Sequence, residues 1–123
     1  MQYDISITEN IAYISVEGNL NALDLLFMLQ SKEYKGVIKQ YKKILIDYTN
    51  ICGVTLTAED AIAITMLGKM DLENLGNITI VMAVNENEHD VMESVTKSIF
   101  SDSPCDVLVT DSKNNALKIL HSI

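Results

Sequence analysis

The chain is short of several things, and each shortage excludes a class of protein. One proline and five glycines in 123 residues leave no material for a disordered linker or a low-complexity repeat. No domain boundary is visible, so residues 1–123 are expected to form one domain, long enough to bury a core without staples. Basic residues are scarce: nine Lys and Arg against 17 Asp and Glu give a net charge of −8. Lys42 and Lys43 are the only basic pair, and nucleic acids and anionic membranes both need a basic surface, so neither is an expected partner. Basic proteins or neutral ligands fit the charge better. No apolar run nears the ~20 residues needed to span a bilayer, so membrane insertion is not expected. Met1 to Asn10 lacks the regions of a signal peptide, and the expected location is cytoplasmic. Cys52 and Cys105 are then expected to stay reduced. Cys52 follows the carboxyl end of one strand and Cys105 precedes the amino end of another, at opposite poles of a parallel sheet.

What is present is a β-α period. Ile44-Leu45-Ile46-Asp47-Tyr48 is an apolar strand ending in Asp, followed by a polar loop and a capped helix from Thr57-Ala58-Glu59-Asp60. The unit recurs as strand Ile78 to Val84 with helix Glu88 to about Phe100, and strand Val107 to Thr110 with helix Ser112 to His121. Thr57 and Asp111 are candidate caps, Thr57 with Asp60 in a capping box. Residues 78–84 are apolar on both faces, which predicts a strand covered on both sides. Ahead of these units, Gln2 to Thr8 alternates, with Tyr3, Ile5 and Ile7 on one face. Glu9-Asn10 then turns the chain into Ile11 to Glu17, making a hairpin that ends at Gly18-Asn19. Asn21 to about Tyr34 reads as one helix with Ala22, Leu23, Leu25, Leu26, Phe27 and Leu29 on a very wide apolar arc. Asp24, Ser31 and Lys32 mark its solvent side, and Met28 falls among them. Glu33 to Lys42 reads as the helix end and a solvated connection.

This order of elements resembles the STAS domain, in its SpoIIAA-like branch grouped with the Sec14 or CRAL-TRIO folds. The resemblance rests on the hairpin ending at Glu17-Gly18, the strand Ile44 to Tyr48 with the helix opening at Thr57 to Asp60, and the closing run Val107 to Leu120. It implies an α/β fold: a singly wound mixed sheet of about five strands, the first antiparallel and the rest parallel, with about four helices. It also implies a regulatory or binding module without catalytic machinery. In the anti-sigma factor antagonists of this fold, a Ser in an Asp-Ser-Ser/Thr-Gly segment is phosphorylated. The matching region here, Gly53-Val54-Thr55-Leu56-Thr57-Ala58, has neither that Asp nor that Ser nor the closing Gly. Thr57 is the nearest hydroxyl and the possible phosphorylation site, with a helix cap as its plainer role.

Ligands of wound β-α sheets sit at the carboxyl ends of the parallel strands, beside helix amino termini. That rim should collect Asp47, Thr49, Asn50, Thr55, Thr57, Asn85 and Asp111. It carries no Lys or Arg and no Gly-rich phosphate loop, so a nucleotide is a poor fit. Asp47 is the most tempting single residue, but bonding to nearby loop N–H groups explains a carboxylate there more simply. Glu86, Glu88, His89 and Asp90 are adjacent on a helix and point different ways, which does not suit a metal. With two His, both near helix ends, no nucleophilic triad assembles. No catalytic residue, metal or cofactor is expected. The apolar excess on the first helix and on Ala58 to Met70, with Met28, Met66, Met70 and Met92, suggests a contact surface. The leading expectation is therefore a protein partner or homodimer bound through Leu25, Met28 and the segment Thr49 to Thr57. Two rivals are a carrier or sensor of a small apolar or lipid-like ligand, and a phosphorylated anti-sigma factor antagonist.

Overall fold

The computed structural model describes residues 1–123. Strands β1 (Gln2–Thr8) and β2 (Ile11–Leu20) form the antiparallel hairpin. Its two turn residues, Glu9 at φ 52° and Asn10 at φ 66°, are left-handed, the geometry whose twist matches that of the flanking strands. Strands β3 (Lys43–Val54), β4 (Thr79–Ala83) and β5 (Asp106–Thr110) follow β2 in parallel, and the sheet order is β1-β2-β3-β4-β5. Each crossover therefore moves to the next strand in the same direction. Right-handed crossovers of that kind place every connecting helix on one face.

The packing follows this rule. Ala12, Ile14, Val16, Ile44, Ile46, Tyr48 and Ile80 point to the face that carries α1 (Ala22–Gln30), α2 (Lys32–Gln40), α3 (Ala58–Leu72) and α4 (Glu86–Phe100). The opposite face would be bare but for α5 (Lys113–His121), whose Ala116 and Leu120 pack on Ile11, Leu45, Val81 and Ala83. Alternate residues of β3 and β4 thus enter two separate apolar clusters, which is why those strands are apolar on both sides. No helix is long and apolar enough to cross a membrane.

Several bounds and one cap differ from the sequence reading. The single helix expected over residues 21–34 is two helices, because Ser31 is extended and serves both. Its Oγ donates to the Met28 carbonyl at 2.7 Å and accepts from the Tyr34 N–H at 3.1 Å. The segment 33–42 is accordingly helical, burying Tyr34 and Ile38, and the fold has five helices rather than about four. Strand β3 runs to Val54 instead of stopping at Tyr48. It does so because β2 continues to Leu20 beside it, through register shifts between Ser15 and Glu17 and between Gly18 and Asn19. Finally, α5 is capped by Ser112, whose Oγ accepts from Asn115 N–H at 3.1 Å, while Asp111 accepts from the Asn115 side chain. The capping box of α3 forms as read: Asp60 N–H donates to Thr57 Oγ1 at 3.0 Å and Thr57 N–H to Asp60 Oδ2 at 3.4 Å.

Candidate functional site

Parallel register sets Asp47 beside Ala83 and Ala83 beside Thr110, so the strand exits gather at one rim, as the β-α period requires. Asp47 itself lies on the α5 side of the sheet, bonded to Tyr13. It is 2% exposed, with Tyr13 Oη donating to Oδ2 at 2.8 Å and Thr49 N–H and Oγ1 donating to Oδ1 at 2.9 and 2.6 Å. Lys113 of α5 lies 4.4 Å over the Tyr13 ring. Burial, followed by the bond to Asp47, raises the Tyr13 pKa above the usual phenol value. The cluster clamps β2, β3 and α5 together, and the expectation of Asp47 on a contact surface is corrected. Both carboxylate oxygens are already held inside the protein.

The remaining rim residues are accessible. Thr49 is half-buried, and Asn50, Thr55 and Thr57 are exposed. Thr55 Oγ1 accepts from Asn19 Nδ2 at 3.3 Å and Thr57 holds the α3 cap. His89 faces Asp90 and Glu93 along α4, at 3.5 and 3.7 Å.

A second correction concerns α1. Leu25 and Met28, expected on its contact face, are 7% and 0% exposed and belong to the main apolar cluster. A wide apolar arc does not say which part of it faces the sheet. The outer side of α1 carries Leu23 and Phe27 instead, 60% and 64% exposed. The neighbouring α3 leaves out Ile62, Met66, Leu67 and Met70. The i, i+4 spacing of Leu23 with Phe27, and of Ile62, Met66 and Met70, places each set on one side of its helix.

Beneath these helices the core is hollow. A cavity of about 120 Å³ lies between the sheet and α1–α4, and 17 of its 21 lining residues are hydrophobic. Ile46, Tyr48, Ile80 and Met82 form its floor, Leu25 and Leu29 of α1 and Ile64 and Leu72 of α3 its walls, and Met92 and Phe100 of α4 another side. Tyr34 and Tyr48 also line it, at 3% and 8% exposure. Neither hydroxyl is hydrogen-bonded to a protein group, and neither is fully enclosed as the unpartnered Asp71 Oδ2 and Thr96 Oγ1 are. Burial pushes both phenols well above their usual range, and for Tyr34 the nearby Tyr48, Asp71 and Cys105 add to the shift. They are neutral donors at any ordinary pH. Sequence reasoning missed both tyrosines; the available signal was a Tyr at an inward position of an otherwise aliphatic strand, where a buried hydroxyl normally needs a partner.

A five-stranded sheet wound in chain order, with one antiparallel edge and a lone fifth helix behind it, is the SpoIIAA-like fold. Two solved structures share it over nearly their whole lengths. One is an uncharacterized protein of the DUF3478 family with a SpoIIAA-like fold from Shewanella loihica PV-4, 16% identical, covering 97% of this chain and 92% of its own, with a TM-score of 0.56. The other is the anti-sigma factor antagonist SpoIIAA in its unphosphorylated form, 10% identical, covering 99% and 98%, with a TM-score of 0.61. No family model and no curated protein matches the sequence.

Proposed function

We propose that this chain is a non-enzymatic regulatory module that binds another protein through the outer face of α1 and α3. The observation that carries the reading is the exposure of Leu23, Phe27, Met66 and Met70, between 54% and 65% each, on two neighbouring helices. Isolated exposed apolar residues are ordinary, but several large ones on adjoining helices mark an interaction surface. Methionine and phenylalanine supply adaptable contact area. A net charge of −8 favours a partner whose contact rim is basic over a second copy of the same chain. The shared fold with an anti-sigma factor antagonist supports action on a protein.

A photo-crosslinking residue placed at Phe27 or Met66, in cells that make the protein, tests this. The expected result is one discrete adduct from both positions and none from Lys118 on α5. An adduct of twice 13.7 kDa would mean self-association instead, and equal labelling from all three positions would remove the proposed face. A second reading, a carrier or sensor of a small apolar ligand, is favoured by the cavity beneath the same helices.

A further inference from the structure

The cavity is specific in what it offers. Its wall is aliphatic and aromatic, and Tyr34 and Tyr48, whose hydroxyls have no hydrogen-bond partner in the protein, stand among its lining residues with Thr65, Asn85 and Glu88. A void of about 120 Å³ compares with the ~150 Å³ engineered apolar cavity that takes up benzene. The enclosed part of a ligand is therefore about the size of a six-membered ring. No Lys, Arg or His lines the cavity, and its one ionisable carboxylate is Glu88. An anion would meet no counter-charge, and a cation would leave water for an apolar wall. Phenol hydroxyls donate more readily than they accept, so an acceptor on the ligand suits them.

Deepening the small-ligand reading, we propose that the cavity between the sheet and α1–α4 binds a small neutral molecule with an apolar ring or short chain and one carbonyl oxygen, which accepts hydrogen bonds from Tyr48 and Tyr34. The apolar body supplies affinity by leaving water and filling the void. The carbonyl supplies selectivity, because the site's own donors are unpaired without it. Asp71 lies close enough to Tyr34 to oppose its ionisation, and it would equally oppose an anionic headgroup. Esters, ketones and lactones fit this description; carboxylates do not.

Amide chemical-shift titration of the full chain at neutral pH, with cyclohexanone, benzene and cyclohexanecarboxylate as probes, tests the assignment. Cyclohexanone should give saturable shifts at Ile46, Tyr48, Ile64 and Met92, benzene should bind at least about fivefold more weakly, and the carboxylate should not bind. Tyr48→Phe should weaken cyclohexanone about fivefold, the worth of one hydrogen bond, and leave benzene unchanged. Tyr34→Phe gives an independent variant of the same kind. Equal affinity for cyclohexanone and benzene, or a ketone affinity indifferent to both tyrosine variants, would overturn the carbonyl assignment while leaving an apolar site. Absence of saturable shifts with every probe would overturn the site as well.

Discussion

The two faces of the sheet are built on opposite plans. Behind it, one short helix closes a small cluster in which Leu45, Val81, Ala116 and Leu120 are almost entirely buried. The single buried carboxylate there, Asp47, has bonds to both oxygens. In front, four helices cover a larger cluster, yet leave a void, two unpaired tyrosine hydroxyls and an outer surface of exposed apolar side chains. The difference separates duties. The α5 face is closed and fully bonded, and the α1–α4 face keeps exposed apolar surface and unfilled space, the features on which the proposed binding rests.

That contrast can be broken by making the same truncation on each face. Leu120→Ala, at a fully buried position of the closed face, should lower stability by about 3 kcal/mol in urea unfolding. Ile64→Ala, on the cavity wall, should lower it by roughly half as much, because the side chain already borders a void and loses fewer contacts. Equal losses would show that the front face is as tightly filled as the back.

A finer version removes one hydroxyl from each side. Tyr13→Phe leaves a buried Asp47 oxygen without its donor and should lower stability by about 1–2 kcal/mol. Tyr48→Phe removes a group that bonds to nothing in the protein and should change stability by less than about 0.5 kcal/mol, or raise it. Comparable losses would mean that Tyr48 has a partner within the fold.

The smallest and most gradual effect is on pH dependence, and most of the groups behind it lie on the hollow face, Tyr13 on the closed face adding to them in the same direction. Burial pushes the Cys105 thiol up to about 11 from 9.0, and raises Tyr34 and Tyr48 above 10.0. The folded state therefore keeps protons that the unfolded chain releases. Their contribution is fully present below about pH 9 and fades as pH climbs through the unfolded values toward the folded ones. Urea midpoints should fall between about pH 8.5 and 10.5 and be flat between about 7 and 8.5, with a shallower fall in Tyr48→Phe.

The β-α framework was legible because apolar strands, caps and turns follow short-range periodicities. The alternation of residues 2–8 and 11–17 and the Thr57 to Asp60 box all appear as read, and the wound sheet places the strand exits at one rim. The break at Ser31 was not legible, since a serine inside an apolar helical pattern reads equally well as its polar side. Helix α1 shows the limit most clearly: seven apolar residues between positions 22 and 29 predict a helix, but so wide an arc does not say which of them face the sheet. Leu25 and Met28 turned inward and Leu23 and Phe27 outward.

By itself the sequence determined the kind of sheet, because strand and helix periodicity, turns and caps depend on neighbours a few residues apart, and crossover hand on a chirality common to all chains. Which side chains remain uncovered, whether four helices meet without a gap, and where a hydroxyl ends up without a partner were decided only in three dimensions. Those properties arise from how elements distant in the chain fit against one another, and no local pattern encodes that fit.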